Sequence, residues 1–407
     1  MRASGYPLVD AAEAAALVLE RTPVLPAEEV GLGECWGRVA AEDVVATGPL
    51  PPFPSSAVDG YAVRAADGGG RLRVGGESAA GRPFAGELPP GSAARILTGG
   101  VLPAGADTVV MVEDVEQEAG GAVVVVPEGF PAGRNFHRPG DDLRAGDVVV
   151  RRGSRLGAAE LGLAAAIGIP RLRVHRRPRV ALLSTGDELV EVGERPGPGQ
   201  IVDSNRWALL AALREAGAAV TPLGLAPDRA DALRDLVLTA LRNHEVLLTS
   251  GGVSVGTHDL VKPLLESLGE VHLGRVKLKP GKPFTFATLP EERLAFGLPG
   301  FPVSSLVTFE VFVRPALRKM QGHRELQRPV LPVRLAYEAK AAGDRTEYQR
   351  VTLSREGRDL VAVSTGSQSS SRLMSLAGAH ALVRVPPGGR GIPAGTVVEA
   401  IILSLPA

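Results

Sequence analysis

The chain has 407 residues, 44% hydrophobic and 22% charged, and its 45 Lys and Arg balance 45 Asp and Glu. Globular domains run to about 100–200 residues, so two to four are expected, and zero net charge excludes a general nucleic-acid binder, which needs cationic excess. The single cysteine, Cys35, excludes an internal disulfide framework and a cysteine-rich metal site. No apolar run reaches the ~18 residues a membrane span requires, so no membrane partner is expected. Asp10 and Glu13 interrupt the first apolar stretch, which does not read as a secretory signal; a cytoplasmic protein is the expectation.

Asp10 followed by Glu13 predicts a capped amphipathic helix to about Leu19. From about Val44 to Arg155, short β-prone runs alternate with Gly/Pro turns, the texture of an all-β module. An Ala-Gly turn leading into a Val-Val strand recurs at Ala104–Val110, Ala145–Val149 and Ala394–Val398. Gly157–Ile167 reads as a short helix stopped by Gly168 and Pro170. Strands are then predicted at 179–183, 220–225, 245–249, 284–287 and 294–297. Helices are predicted at 204–216, 229–242, 258–268 and 302–320. That alternation specifies βαβ units, a parallel sheet with helices on both faces. From Arg328 onward the β-rich texture returns as a separate C-terminal domain.

Ligands of such sheets bind beyond the carboxyl ends of the strands, where loops run into helix N-termini. Three loops fit: Ser184-Thr185-Gly186-Asp187-Glu188, then Thr249 to Asp259, then Leu298 to Ser305. Their glycines let backbone amides approach a phosphate, and Asp187, Glu188 and Asp259 could hold a divalent cation beside it. Neither the dinucleotide nor the P-loop glycine fingerprint is present. Gly252-Val253-Ser254-Val255-Gly256 matches the nucleophile elbow of serine hydrolases, with His272, His323 or His380 following Asp259. Against a hydrolase, an elbow puts its Ser in the sharp turn at the strand end, and here Gly251-Gly252 intervenes.

Only six Lys occur, and Lys277, Lys279 and Lys282 lie within six consecutive positions. With Pro280 and Pro283 stiffening the segment, it could be a preorganised oxyanion site or a solubilising edge strand. Asn is scarcer still, at Asn135, Asn205 and Asn243. The seven His show no metal-ligand spacing.

Eight motifs occur in order: SSAVDGYA at 55–62, LTGG at 97–100, RPGDD at 138–142, STGDEL at 184–189, DSNR at 203–206, TSGGVSVGTHD at 249–259, KPGKP at 279–283 and LPGFPVSS at 298–305. Together they resemble the MoeA-type molybdopterin molybdenumtransferases, a family that includes the E domains of gephyrin and of its plant counterpart. Phe301 departs from the family, which commonly has Asn there.

The resemblance implies an α/β plus all-β multidomain fold, elongated overall. Residues 1–26 and 174–326 would form a doubly wound, mostly parallel α/β molybdopterin-binding domain. Residues 27–45 and 147–173 would form a small linking domain into which a β module, 46–146, is inserted, and 327–407 a C-terminal β-barrel-like domain. The implied reaction inserts molybdate into adenylylated molybdopterin and releases AMP, with Mg²⁺ assisting. It implies a homodimer in which Asp59, Thr98 and Asp142 join the site from the partner's β module, and it leaves room for transient contact with the adenylyltransferase. By the same resemblance, Asp259 holds Mg²⁺ or assists cleavage of the phosphoanhydride, and Glu188 helps organise the site. Thr185, Gly186, Asp187, Ser250, Gly251, Gly252, Ser254 and Gly256 bind the adenylylated substrate. Lys279, Lys282, Ser304, Arg350 and Ser371, with Ser370 as the alternative to Ser371, hold molybdate. Other readings are a molybdopterin adenylyltransferase, whose single domain resembles 174–326, the serine hydrolase at Ser254, and a non-catalytic carrier or scaffold.

Overall fold

The computed structural model describes residues 6–226, 229–252 and 260–406. Ser254, Gly256 and Asp259 lie outside the described residues. The first helix, α1 (Ala11–Glu20), starts where the Asp10 carboxylate accepts the Ala12 N–H at 2.8 Å. This satisfies one of the free donors of the first turn. Its buried residues Ala11, Ala14 and Val18 follow helical spacing and form one stripe.

Ala27–Gly31 pairs antiparallel with Arg171–His175, and Val44–Val45 with Val148–Val150. These two long-range ladders bring the chain back beside itself, so everything between Val45 and Val148 is an excursion from one small core. That core packs Cys35, Ala40, Val150, Leu156, Leu172 and Val174 against Ala164 of α2 (Ala158–Ala166).

The excursion is a six-stranded sheet, ordered Thr108–Met111, Gly60–Val63, Ser92–Ile96, Arg71–Ser78, Val123–Val125, Glu116–Glu118. Both its faces are covered: Tyr61 and Val63 lie in one core, Ala62 and Ile96 in another. The repeated Ala-Gly device has a common cause. Gly105, Gly146 and Gly395 hold φ of 88°, 91° and 83°, conformations a β-carbon disfavours, and each turns the chain into a strand.

The α/β sheet is ordered Ala219–Leu225, Arg179–Ser184, Val246–Ser250, Arg293–Leu298, Pro283–Leu289, Glu270–Arg275. The first four strands are parallel; the last two are antiparallel to their neighbours. Here the βαβ rule yields to a short connection: only Pro290, Glu291 and Glu292 separate two strands, which is a hairpin and not a crossover. Val180 and Leu182 face a core containing α1, α3 (Asn205–Glu215), α6 (Pro302–Thr308) and α7 (Arg314–Met320). Ala181 and Leu183 face α4 (Ala230–Leu241) and α5 (Val261–Leu268). Burial on both faces explains why these strands read as continuous apolar runs.

The last helix, expected as one α-helix over 302–320, is helical throughout, but Phe309–Val313 winds as a π-helix between α6 and α7. Pro315 is the physical reason: its ring cannot donate and crowds the carbonyl one turn back, and the wider turn relieves both.

Five strands, Val330–Leu335, Thr346–Glu356, Asp359–Ser364, Ala381–Val385 and Val397–Ile402, close into a C-terminal barrel, with the second pairing to the fourth. Leu278–Lys279 adds to it in parallel, which draws the lysine segment of the α/β unit onto the barrel. Among the described residues no helix is long and apolar enough to cross a membrane.

Candidate active site

Two groups of residues meet around the 298–305 loop. The first lies at the carboxyl edge of the parallel strands, where Ser184, Ser250 and Leu298 stand in register. The Thr185 N–H donates to the Ser250 carbonyl at 3.0 Å. Gly251 and Gly252 hold φ of 85° and 64°. A β-carbon on Gly251 would run into the Thr185 carbonyl, and one on Gly252 would stand 2.6 Å from Thr185 Oγ1. These glycines are therefore fixed by the close approach of two loops, whatever else they serve. Gly186 makes room in the same way for Glu188, whose carboxylate folds back to 2.5 Å from where a β-carbon would be. Asp187 and Glu188 are exposed at this edge.

Asn205, the first residue of α3, clamps the second loop to the third. Its Nδ2 donates to Ser250 Oγ at 2.8 Å and to the Gly300 carbonyl at 2.7 Å. Its neighbour Arg206 is buried and anchors the turn before α3 through Asp203, at 3.3 Å, and Glu191. Phe301, at the residue before α6, is exposed and supplies no side-chain cap.

The second group is a cationic corner. The parallel ladder sets Lys279 opposite Glu347, and Nζ and Oε1 are 3.1 Å apart. Glu347 is only 3% exposed. Arg350, on the same strand, is fully buried. Its Nε donates to Ser375 Oγ and its Nη2 to the Ser369 carbonyl, both at 3.1 Å. Its backbone N–H donates to Gln368 at 2.8 Å. Burial pulls the Arg350 guanidinium down to about 10, partly countered by Glu347 and Tyr337, so it stays charged at neutral pH. The Val303 N–H donates to the Ser370 carbonyl at 3.1 Å, which brings Ser304 at the start of α6 beside the Ser369–Ser371 turn. Lys279, Ser304, Arg350 and Ser371, far apart in sequence, thus share one corner, with Lys282 exposed on the same lysine segment. The corner is suited to a tetrahedral oxyanion: it offers cations and hydroxyls on backbone that other bonds already fix.

Asp59, Thr98 and Asp142 form a third group on the β module. Asp59 Oδ1 accepts both the Thr98 N–H and its hydroxyl, each at 2.7 Å. Those bonds, backbone first, hold its carboxyl below the usual range. The three motifs adjoin because Gly99 donates to the Ser56 carbonyl, Ser56 to that of Gly100, Ala57 to that of Asn135, and Asp142 to that of Leu50. Among the described residues, no hydrogen bond or ion pair links this group to the loops at Thr185 or Lys279.

The hydrolase reading finds no support in the histidines. His272 bonds Thr288 at 2.7 Å, His380 Nδ1 accepts the Leu353 N–H at 2.9 Å, and His323 follows α7 near Arg318. Among the described residues no three His, Cys, Asp or Glu side chains gather as a metal cage. Mg²⁺ rarely uses such a cage and takes one or two carboxylates together with substrate phosphates, a donor set that the exposed Asp187 and Glu188 fit.

Two residues that position the site were given no role by the motif reading. Asn205 was signalled by the rarity of Asn and by DSNR, without a partner. Glu347 stands three residues before Arg350, but nothing local marks a strand residue as the partner of Lys279.

Residues 9–168 match the MoeA N-terminal region (domain I and II), 181–319 a probable molybdopterin binding domain, and 332–403 the MoeA C-terminal region (domain IV). The chain is 40% identical to a molybdopterin molybdenumtransferase of Haemophilus influenzae over 320 residues, covering 78% of this chain and 79% of that one. It is 37% identical to that of Nostoc, covering 98% and 94%. It is 35% identical to gephyrin of Dictyostelium discoideum over 99% of its own length, but spans 63% of gephyrin's. A molybdopterin biosynthesis MoeA protein from Pyrococcus horikosii superposes with a TM-score of 0.81 at 33% identity, covering 97% and 99%.

Proposed function

The chain belongs to the MoeA family of molybdopterin molybdenumtransferases, and from that premise we propose that it inserts molybdate into adenylylated molybdopterin with release of AMP. It is an enzyme of molybdenum-cofactor biosynthesis, acting late in that route. One observation carries the finer reading: a glycine-loop edge and an oxyanion corner are joined through 298–305, with Asn205 tying one end and Val303 the other.

In this reading the Thr185, Gly186, Ser250, Gly251 and Gly252 backbone cradles the phosphoanhydride, as Gly-rich loops do. Ser254, Gly256 and Asp259 complete that loop. Asn205 holds Ser250 in place. Lys279, Lys282, Arg350, Ser304 and Ser371 receive molybdate, the substrate dianion. Glu347 keeps Lys279 oriented until the anion arrives. Mg²⁺, held by Asp259 with Asp187 or Glu188, would neutralise phosphate charge as AMP leaves.

The Asp59, Thr98 and Asp142 group would complete the site from a second copy in a homodimer, since it lies apart from these loops in its own chain. The domain division is proposed at 1–26 with 174–326, 27–45 with 147–173, 46–146 and 327–407. A cytoplasmic setting and transient contact with an adenylyltransferase belong to the same proposal. The test is AMP release from adenylylated molybdopterin and Mg²⁺, with and without molybdate. Molybdate-dependent release with formation of active cofactor is expected; binding without release would leave a carrier.

A further inference from the structure

The guanidinium of Arg314 is largely buried, and two of its three nitrogens are unsatisfied among the described residues. Its Nε and Nη1 are inaccessible to solvent and have no hydrogen-bond partner among the described residues. The nearest acid is Glu310, one turn back across the π segment, at 3.7 Å from Nε. That carboxylate is already taken. Arg328 donates to both its oxygens, at 2.7 and 2.9 Å, and also bonds Glu215 at 2.9 Å and the Leu403 carbonyl at 3.1 Å. An arginine cannot shed its proton to escape burial, so its unmet donors call for an acceptor.

The surroundings are cationic as well. Arg318, one turn further along α7, has no acid partner among the described ion pairs and bonds only the Glu325 carbonyl, at 2.8 Å. Burial, with the fields of Arg314, Arg155 and Arg328, pulls it down to about 10. Burial and the fields of Arg318, Arg155, Arg314 and His175 hold His323 down at about 4. Four guanidinium groups, Arg155, Arg314, Arg318 and Arg328, thus face three carboxylates, Glu215, Glu310 and Glu325. A water could accept from Arg314 but would leave this excess untouched.

We propose that Arg314, with Arg318 and Arg328, forms a second oxyanion site that binds a phosphate-class oxyanion where α7, the end of α3 and the segment entering the barrel meet. It is separate from the corner at Lys279 and independent of the reaction proposed there. The ligand supplies several acceptor oxygens to the idle donors and negative charge to the excess. Free phosphate and the phosphate of a larger ester share that chemistry.

The experiment is calorimetric titration of the full chain with inorganic phosphate and, separately, phenyl phosphate, at low ionic strength. Binding of either is expected in the wild type and in Lys279→Met, with at least a tenfold loss in Arg314→Gln and a smaller loss in Arg318→Gln. Tighter binding of phenyl phosphate would assign the site to an ester, and equal binding to the free ion. No binding to the wild type, or binding lost in Lys279→Met and kept in Arg314→Gln, would overturn the proposal. Should Arg314→Gln fail to fold, NMR titration of the His323 ring in the wild type still decides. Phosphate should raise its midpoint by at least half a pH unit, and an unmoved midpoint would sink the site.

Discussion

Two arginines withdrawn from solvent, Arg350 on a barrel strand and Arg314 at the start of α7, show that a cation can be left incomplete in different ways. Arg350 has no ion pair among the described residues, yet its Nε and Nη2 find Ser375 and a carbonyl, so these donors are satisfied while its charge is left to act at a distance. Arg314 has an acid at 3.7 Å, yet two of its nitrogens find no partner among the described residues. A hydrogen-bonded but unneutralised cation is preorganised, since it attracts an anion without having to move. An unbonded one is incomplete, because its own donors need a ligand atom. Desolvated donors are costly and local, whereas net charge is felt over several ångströms.

The largest effect should come from removing the satisfied cation. Arg350→Ala would orphan the Ser369 and Ser375 acceptors, leave a cavity, and weaken folding by about 3 kcal/mol or more. It should also abolish molybdate-dependent AMP release. Urea unfolding beside the activity assay checks both, and Arg350→Lys, which keeps charge without the planar fork, should recover stability only in part. Loss of activity with no loss of stability would mean that the neutral acceptors around Arg350 contribute little.

Glu347→Gln probes the charge itself. Losing a buried carboxylate that pairs with Lys279 should cost about 1–2 kcal/mol of stability. It also makes the corner more positive, so the KM for molybdate should fall several-fold while kcat falls as Lys279 loses its orientation. A rise in KM would mean that Glu347 matters for placement alone. Asn205→Ala removes two hydrogen bonds at the loop clamp, at about 1 kcal/mol, and should raise the KM for adenylylated molybdopterin with little effect on that for molybdate.

These residues also mark where sequence reasoning ended. Elements with local causes were legible: Asp10 capping α1, the Ala-Gly turns, the doubly apolar strands of the α/β sheet, and the glycine loops at their carboxyl ends. The lysine segment drew notice through composition. What stayed hidden depends on register between distant segments. Lys279 meets Glu347 because one strand pair adds in parallel to the barrel, and Asn205 reaches Gly300 because α3 packs on α6. The antiparallel edge of the sheet and the π turn before Pro315 were hidden too, one set by a three-residue connection and the other by a proline inside an otherwise helical run. The Arg314 imbalance had no sequence signal, since arginine is this chain's common cation and only the fold decides which acids it meets.

The smallest expected effect sharpens the same contrast through pH. His323, beside the Arg314 cluster, titrates at about 4 when folded, below its ordinary value of 6.5. Between those values the unfolded chain takes up a proton that the folded chain refuses. Stability is therefore full above about pH 6.5, declines as pH falls towards 4, and levels below it. His323 is only partly buried, so solvent screening reduces the contribution to about 1 kcal/mol. Urea midpoints at pH 7 and pH 4.5 should differ less in His323→Gln than in the wild type, because the variant removes this one proton and leaves all other titrations in place. Phosphate gives the comparison its second axis. An oxyanion seated on Arg314 would lift the His323 midpoint towards 6.5, so saturating phosphate should shrink the wild-type pH loss and leave that of His323→Gln unchanged. If phosphate shrinks both equally, the anion acts through general screening, and the cations around Arg314 are held in check by something other than a bound ligand.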